Sequence, residues 1–306
     1  MSIRASLVRL VMRLTVKRQI HKENGLEPAA LRLAIDKRAR RGGWPEGGKV
    51  EEVSANGVKA FWVDAENADP NRVFYYLHGG GYIFGAPDTT HKDLLWRLSK
   101  ASGARVLAID YRLAPEAPFP AAIEDVAAAY QALLDSGVSA QNIIVGGDSA
   151  GGALAFNLLS RLCAGSGPLP RALFAFSPLT DFLHEGASFR ENAAREAVLP
   201  AAQAGLMAEM YLAGADPRDP DISPLLASYP GAPPVWITVG SIEILRDDAR
   251  RMAAHLRDQG VSASLEEEHD LPHVWPIFHN TLPEARATLD ALARWITQLP
   301  PTATES

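Results

Sequence analysis

The most informative motif of the chain is Gly147-Asp148-Ser149-Ala150-Gly151, which lies between a predicted strand at residues 142–145 and a predicted helix at residues 150–163. A serine in this strand–turn–helix context can act as a nucleophile, because the tight turn lifts its oxygen clear of the sheet. Glycines two positions before and after it leave room for the neighbouring strand and helix. The N-terminus of the helix favours negative charge that develops nearby. The motif alone is also compatible with an ordinary glycine-rich turn, so its meaning depends on the rest of the chain.

Predicted strands and helices alternate on either side of this motif. Asn56-Gly57 joins two of the strands and is a strong hairpin signal, whereas helix-length segments separate most of the later strands. The predicted strands are 49–55, 58–65, 72–77, 104–109, 142–145, 171–176, 235–239 and 262–268. The predicted helices are 88–101, 120–135, 150–163, 245–259 and 283–298. This alternation is typical of an α/β fold whose mostly parallel sheet carries helices on both faces and is entered through an antiparallel hairpin.

A second motif, His78-Gly79-Gly80-Gly81-Tyr82, directly follows the predicted strand at residues 72–77. Successive glycines let backbone N–H groups approach a ligand without interference from Cβ atoms. Cleavage of an ester passes through a tetrahedral oxyanion, which requires preorganised donors. We therefore predict an oxyanion hole formed by the N–H groups of Gly79 and Gly80, with a third from Ala150 just after the serine. A phosphate-binding loop or a mobile turn is the alternative interpretation.

A serine nucleophile needs a base, and the chain contains eight histidines. Catalytic groups in an open α/β sheet lie at the carboxyl ends of strands, and the last predicted strand ends near Glu268. His273, in the loop Asp270-Leu-Pro-His273, is therefore the predicted general base. His269 is the alternative because it lies nearer the strand end, and we expect His78 to shape the glycine loop rather than to transfer protons.

The acid that orients the base follows the serine and precedes the histidine in this chain order. Glu243 is the first carboxylate after the predicted strand at residues 235–239, and it is the predicted acid. Asp247 is the alternative, although it is also suited to stabilising the start of the following helix beside Arg246. Either carboxylate can hold the imidazole tautomer and stabilise its cation.

The composition of the 306-residue chain excludes several other classes of protein. A charged fraction of 22% and a hydrophobic fraction of 47% are typical of a folded protein and exclude a disordered, collagen-like or coiled-coil chain. The single cysteine, Cys163, excludes an internal disulfide and a multi-cysteine zinc site. Because there is no disulfide framework, we expect a cytoplasmic protein.

The first 41 residues form a basic arm, with eleven Lys and Arg against three Asp and Glu. Their net charge of +8 leaves −14 for the remainder of a chain whose net charge is −6. Residues 3–20 show helical periodicity, with a predicted apolar stripe at Ile3, Leu7, Leu10 and Leu14. A signal peptide is not expected, because Arg9 and Arg13 interrupt the apolar region that it needs. A transmembrane helix is not expected, because no run of about 18 apolar residues occurs. Nucleic acid or an anionic membrane surface is an alternative partner, but we expect the stripe to pack on the body of the protein.

Several motifs in order resemble the hormone-sensitive-lipase-like family of α/β hydrolases, the bacterial family IV esterases. They are the His78–Tyr82 loop, the stretch Asp110-Tyr-Arg-Leu-Ala-Pro-Glu116 with Pro118–Asp125, the Gly147–Gly152 elbow and His273-Val-Trp-Pro-Ile-Phe278. The likeness covers the chain from about residue 50 to its end. One departure lies at the acid, where the family usually has Asp-Pro-Leu-x-Asp and this chain has Glu243-Ile-Leu-Arg-Asp247. Aligned in this way, Glu243 takes the place of the aspartate.

The resemblance implies an α/β-hydrolase fold with a mostly parallel eight-stranded sheet, helices on both faces and a helical cap. The cap would combine residues 1–48 with an insertion at about residues 180–230, and residues 49–306 would form the catalytic domain. The family further implies a serine carboxylesterase for small, fairly apolar esters of short to medium acyl chain, without a metal or organic cofactor. We predict apolar walls formed by Tyr82, Phe84, Leu199, Leu206, Met207, Met210 and Tyr211.

The expected partner is thus a small-molecule ester, rather than nucleic acid or a membrane surface. Relatives are often dimers, so a homodimer is compatible with the resemblance. A hydrolase of lactones or acetylated natural products would use the same triad, which also does not distinguish an esterase from an amidase or peptidase. A non-catalytic ligand-binding module on the same fold is the alternative from another class. The presence of His273 argues against it, since plant gibberellin receptors resemble this family but lack the working histidine.

Overall fold

An eight-stranded sheet forms the centre of the computed structural model, which describes residues 3–14, 27–39, 42–165 and 167–299. The strands are β1 (Gly48–Ala55), β2 (Val58–Ala65), β3 (Asp69–Leu77), β4 (Ala104–Ile109), β5 (Ile143–Asp148), β6 (Ala172–Phe176), β7 (Val235–Gly240) and β8 (Ala263–Glu268). Their order across the sheet is β1-β2-β4-β3-β5-β6-β7-β8. The pairs β1–β2 and β2–β4 are antiparallel, and the other pairs are parallel. The predicted α/β class, with its mostly parallel sheet and antiparallel hairpin, is confirmed.

Helices cover both faces of this sheet. The α-helices among the described residues are α1 (Ile3–Leu14), α2 (Pro28–Ala39), α3 (Lys92–Ser102), α4 (Ala121–Asp135), α5 (Ala150–Ala164), α6 (Ser188–Glu191), α7 (Ala201–Leu212), α8 (Arg246–Asp258) and α9 (Pro283–Thr297). In β3, Val73, Tyr75 and Leu77 belong to the core on one face, whereas Phe74 and Tyr76 belong to the core on the other. Successive side chains of a strand point to opposite faces, so this continuous apolar run is buried on both sides of the sheet.

The parallel order brings distant parts of the chain together at one edge of the sheet. β3 lies next to β5, with Leu77 opposite Gly147 at the end of the ladder. The glycine loop that follows β3 and the serine turn that follows β5 are therefore neighbours. The loops after β7 and β8 open at the same edge, because the carboxyl ends of parallel strands point in one direction.

The first helix, α1, contacts the body through a different face from the predicted one. Leu7 and Leu10, which the periodicity places in the packed stripe, are 59% and 53% exposed. Val8 is instead buried in a small cluster with residues of the loop after β8, and Met12 packs against that cluster. The predicted stripe is therefore wrong for the two leucines. Outside the described part of the arm lie the side chains of Ile3 and Leu14 and residues 15–20.

The arm also contacts the body through arginines. Arg9 on α1 lies 3.6 Å from Asp270, in the loop after β8. Arg32 on α2 binds both carboxylate oxygens of Glu116 at 2.9 Å and donates to Ile83 O at 2.7 Å. The described part of the basic arm thus packs on the acidic body. No described helix combines the length and the apolar character that crossing a bilayer requires.

Candidate active site

Ser149 stands on the turn between β5 and α5, where the motif places it. Its backbone has φ 53° and ψ −119°, a sparsely populated conformation for a residue with a Cβ atom. Its N–H donates to Phe176 O, at the end of β6, at 2.9 Å. A Cβ atom on Gly147 would lie 2.5 Å from the carbonyl oxygens of Leu77 and Gly151, so only glycine fits at this position.

Ser149, His273 and Glu243 form a continuous hydrogen-bonded chain. His273 Nε2 lies 3.0 Å from Ser149 Oγ, and His273 Nδ1 lies 2.7 Å from Glu243 Oε2. All three side chains are buried, and they follow the carboxyl ends of β5, β8 and β7. The structure therefore brings together the predicted nucleophile, base and acid, in the order that a serine triad needs.

Two further donors fix the carboxylate of Glu243. Its Oε1 atom accepts hydrogen bonds from Gly240 N–H at 2.5 Å and from the Ser177 hydroxyl at 2.8 Å. The same Ser177 oxygen accepts a hydrogen bond from the N–H of Val274, next to His273, at 3.2 Å. Ser177 thus joins the loop of the acid to the loop of the histidine. Sequence reasoning missed it, because it follows β6 and no local motif marks these contacts.

The two alternative residues have other partners. Asp247 lies in the first turn of α8, where it accepts a hydrogen bond from Ser188 N–H at 2.8 Å and pairs with Arg246 at 2.9 Å. The His269 side chain is 81% exposed and lies 3.7 Å from Asp270. Each of them has a local structural contact, and the geometry favours Glu243 as the acid.

The glycine loop presents its donors differently from the prediction. Gly79 N–H donates to Asp148 Oδ1 at 3.0 Å, so it is not available to a substrate. The prediction of Gly79 as an oxyanion donor is therefore wrong, because the side chain just before the nucleophile binds this N–H. Among the described residues, none accepts a hydrogen bond from the N–H groups of Gly80, Gly81 or Ala150. These three N–H groups are the available donors, and Gly81 is the one that sequence reasoning missed.

Asp148 anchors the glycine loop from behind. Its carboxylate accepts a hydrogen bond from the Tyr76 hydroxyl at 2.7 Å and lies 3.0 Å from His91 Nε2. Burial acts to raise the pKa of Asp148, but the charge and hydrogen bond of His91, together with the hydroxyl of Tyr76, outweigh it and lower the pKa below its ordinary value. The loop is therefore held by an ionised carboxylate.

His78 shapes the glycine loop, as expected. Its ring stacks on Tyr111 with a centroid distance of 4.2 Å, and its Nδ1 atom lies 2.8 Å from Gly79 O. Burial lowers the pKa of His78 to about 3, so the ring is neutral at neutral pH. A neutral, stacked imidazole supports the loop without adding a charge beside the nucleophile.

The charges around His273 tune its basicity. Burial acts to lower the pKa of His273, but the hydrogen bond and charge of Glu243 outweigh it, with smaller contributions from the charges of Glu196 and Asp148. The pKa of His273 is therefore raised above its ordinary value. An imidazolium that forms when the serine loses its proton is stabilised in place.

A cavity of about 320 Å³ opens over Ser149, and most of its lining side chains are apolar. The predicted wall residues that line it are Tyr82, Phe84, Leu199 and Met207. Sequence reasoning missed other lining residues from well-separated parts of the chain, among them Met12, Leu179, Phe182, Phe189, Val198 and Ile277. They share no local pattern, since they come from α1, from the segment between β6 and α7, and from the segment after β8.

Three predicted wall residues on or beside α7 do not line the cavity. Met207 faces it, but the neighbouring Leu206 is 41% exposed because adjacent helical positions point in different directions. Met210 packs against the core instead. Tyr211 lies behind the wall, where its ring stacks on that of Tyr82 with a centroid distance of 3.7 Å. The predictions for Leu206, Met210 and Tyr211 are therefore wrong.

The polar groups at the cavity determine what the site can do. Beside the triad and the glycine loop, the polar side chains along the cavity are Thr90, His91, Asp148 and His184. Across residues 3–14, 27–39, 42–165 and 167–299, no group of three His, Cys, Asp or Glu side chains is placed to hold a metal ion. A nucleophile, its base and free N–H donors converge on one wall, which is the arrangement that attack on a carbonyl group needs.

Known proteins are similar to this chain in both sequence and fold. A family model described as alpha/beta hydrolase fold matches residues 74–277. The chain is 41% identical to an acetyl-hydrolase of Streptomyces hygroscopicus, over 90% of this chain and 91% of that relative. It is 33% identical to an esterase of Acinetobacter venetianus, over 90% of each chain.

A solved structure that is similar to this chain is also an esterase. The crystal structure of an esterase from the bacterial hormone-sensitive lipase family matches with a TM-score of 0.91 at 36% identity, over 98% of this chain and 99% of that chain. This match extends over nearly the whole length of both chains, so it includes the segments that carry the site described above. The chain therefore belongs to the bacterial hormone-sensitive-lipase family of α/β hydrolases, and it is a carboxylic ester hydrolase.

Proposed function

We propose that this protein is a serine carboxylesterase that hydrolyses small, fairly apolar esters of short to medium acyl chain through an acyl-enzyme intermediate. The observation that carries the proposal is the unbroken chain of hydrogen bonds from Glu243 through His273 to Ser149, at the wall of an apolar cavity. Acyl transfer by serine requires a nucleophile, a base and an orienting acid in this order.

In the acylation step, Ser149 Oγ attacks the carbonyl carbon of the ester while His273 Nε2 accepts the hydroxyl proton. Glu243 holds the tautomer with the proton on Nδ1, so that Nε2 presents its lone pair to the serine. The tetrahedral intermediate then collapses and the bond to the alkoxide breaks. His273 gives its proton to this oxygen, the alcohol leaves, and the acyl group remains on Ser149.

The N–H groups of Gly80, Gly81 and Ala150 stabilise the oxyanion of the tetrahedral intermediate. Ala150 is the first residue of α5, so the helix N-terminus adds a favourable partial charge at the same place. Loss of one such donor typically costs about 10²- to 10³-fold in rate. Gly79 contributes indirectly, since its hydrogen bond to Asp148 fixes the loop that presents the other two glycines.

In the deacylation step, His273 accepts a proton from water as the water oxygen attacks the acyl carbonyl. A second tetrahedral intermediate forms in the same oxyanion hole and collapses with Ser149 Oγ as the leaving group. His273 returns the proton to Ser149, and the carboxylic acid leaves. The triad is then in its starting state, so the cycle needs only ester and water.

The size and lining of the cavity support a short to medium acyl chain. Its volume of about 320 Å³ corresponds to about eleven water-sized groups, at ~30 Å³ each. At ~30 Å³ for each non-hydrogen atom, an ester of about ten such atoms matches this volume. The name of the Streptomyces relative, an acetyl-hydrolase, is consistent with a small acyl group.

We extend the proposal to the domain organisation. Residues 1–48 and about 180–230 form a cap on the catalytic domain of residues 49–306. Met12 from the first piece and Leu199 from the second line the cavity. Both pieces also pair with one carboxylate, since Asp270 lies 3.6 Å from Arg9 and 2.8 Å from Arg195.

The proposal is tested with a series of p-nitrophenyl esters of increasing acyl length. Ser149→Ala should lower kcat/KM by at least about 10⁴-fold on every ester. Ser160→Ala is the matched control, because Ser160 lies on α5 and donates to Asn157 O at 3.0 Å, within the same helix. Wild-type kcat/KM in Ser149→Ala would overturn the mechanism, and a preference for long acyl chains would overturn the substrate class.

A further inference from the structure

Glu196 is a buried carboxylate that the proposed mechanism does not use. It belongs to the segment between α6 and α7 and is 1% exposed. Its Oε1 atom accepts a hydrogen bond from Val198 N–H at 2.8 Å, and its Oε2 atom accepts one from Ile244 N–H at 3.2 Å. Ile244 directly follows the triad acid Glu243, and Val198 lines the cavity. One side chain therefore connects the cavity wall to the loop that carries the acid.

Asn192, on the same side of the site, holds the same loop. Its buried side-chain amide donates to Glu243 O at 2.8 Å and to Ser241 O at 3.1 Å. Together with Glu196, it satisfies two carbonyl oxygens and one N–H group within residues 241–244. A loop held by two buried side chains keeps the side chain of Glu243 in a fixed position relative to His273.

We propose that Glu196 is a positioning residue for ester hydrolysis. It keeps the carboxylate of Glu243 in place beside His273 and links that position to the cavity wall at Val198 and Leu199. The inference rests on the proposed Ser–His–Glu mechanism. Both oxygens of Glu196 accept hydrogen bonds from backbone N–H groups. An amide in their place would turn its own N–H toward one of these donors, so the site requires a carboxylate.

The charge of Glu196 also acts on the histidine. Burial is the largest single influence on the pKa of His273 and lowers it. Glu243, and then Glu196 and Asp148, raise the pKa and together outweigh burial. For Glu196 itself, burial raises the pKa most, the positive charge of His273 lowers it and the charge of Glu243 raises it. Removing the charge of Glu196 should lower the pKa of His273, because the imidazolium loses one of its stabilising neighbours.

The test compares Glu196→Gln with Glu191→Gln, the same change at an exposed position of the neighbouring helix α6. The Glu191 side chain is 64% exposed and pairs with Arg246 at 3.6 Å. Glu196→Gln should lower kcat by about 10- to 100-fold. It should also move the acidic limb of the kcat/KM profile to lower pH, since neutral His273 is the active form. Glu191→Gln should leave both quantities at their wild-type values.

A third variant, Glu196→Asp, separates charge from reach. It keeps the negative charge but is shorter by one methylene, so the acidic limb should stay close to that of the wild type while kcat falls. This variant also serves if Glu196→Gln does not fold, as judged by circular dichroism. Wild-type kcat in Glu196→Asp would then overturn the inference.

Two results with Glu196→Gln would overturn the inference. One is wild-type kcat together with an unmoved acidic limb, and the other is a shift of equal size in Glu191→Gln. The Ser149→Ala variant distinguishes this failure from failure of the mechanism. An active Ser149→Ala variant overturns the mechanism itself. An inactive one, beside a Glu196→Gln variant that behaves as the wild type, overturns only the role of Glu196.

Discussion

Replacing Glu243 by glutamine tests the acid at the position where this chain departs from the usual aspartate. Three donors converge on the carboxylate, namely His273 Nδ1 at 2.7 Å, Gly240 N–H at 2.5 Å and the Ser177 hydroxyl at 2.8 Å. Glu243→Gln keeps the length of the side chain but replaces one acceptor oxygen by an NH₂ group. If that group faces His273, the imidazole must carry its proton on Nε2, pointing at Ser149. If it faces Gly240, two N–H groups oppose each other.

The size of the expected loss follows from these contacts. A hydrogen bond to a charged group contributes about 1.5–3 kcal/mol, which corresponds to about 10- to 100-fold in rate. The wrong tautomer also leaves the serine without a base, and the analogous carboxylate-to-amide change in a serine protease costs about 10⁴-fold. We therefore expect kcat/KM of Glu243→Gln to fall by about 10³- to 10⁴-fold, or about 4 to 5.5 kcal/mol in activation free energy.

The assay is the initial rate of p-nitrophenyl acetate hydrolysis at a pH above the pKa of His273, with Asp247→Asn as the matched control. Asp247 binds Ser188 and Arg246 rather than the histidine, so its loss should change kcat/KM by less than about threefold. A larger loss in Asp247→Asn than in Glu243→Gln would contradict this assignment and make Asp247 the acid. Thermal unfolding of both variants checks that each is folded.

Three further predictions concern pH, a missed residue and the cap. The kcat/KM of the wild type should decline as the pH falls through the raised pKa of His273, because the imidazolium cannot accept a proton; a flat profile there would contradict a histidine base. Ser177→Ala should lower kcat about 10-fold, since it removes one donor to Glu243, and an unchanged kcat in stopped-flow turnover would rule out a positioning role. Asp270→Asn should raise KM about 2- to 5-fold, because two ion pairs to the proposed cap are lost. It should also remove most of the salt dependence of KM. Equal salt dependence of KM in the wild type and the variant would disprove the link between Asp270 and the cap.

The meeting of Ser149, His273 and Glu243 could be predicted because each of them follows a strand that the sequence marks locally. The flanking glycines identify Ser149, and the ends of apolar strands identify His273 and Glu243. Parallel strands bring their carboxyl ends to one edge, so three residues far apart in the chain meet without any further information. The unusual glutamate was therefore accessible from its position after β7, although the donors that accommodate it were not.

The errors arise where alternatives differ only in tertiary contacts. Each N–H of the glycine loop could face a substrate, and the side chain of Asp148 decides that Gly79 does not. On α1, the stripe with Leu7 and the pair of Val8 and Met12 are both compatible with helical spacing, and the surface beneath the helix selects between them.

The residues that sequence reasoning missed act over long separations in the chain. Glu196 binds the acid loop across 48 residues, and Ser177 binds the acid across 66 residues. Hydrophobic periodicity and short motifs describe neighbours along the chain, so they carry no information about such partners. Polar groups that support a site from behind are therefore found only once the strands have been placed side by side.

The backbone of Ser149 determines how this enzyme would respond to laboratory evolution. A residue with a Cβ atom in its conformation costs about 1–3 kcal/mol, and glycine at the same position avoids most of that cost. A Ser149→Gly variant should therefore melt at a higher temperature than the wild type, although it has lost its nucleophile. Heat tolerance and turnover thus favour different residues at position 149. A library screened only for thermal survival will enrich inactive clones, so each round has to score turnover as well.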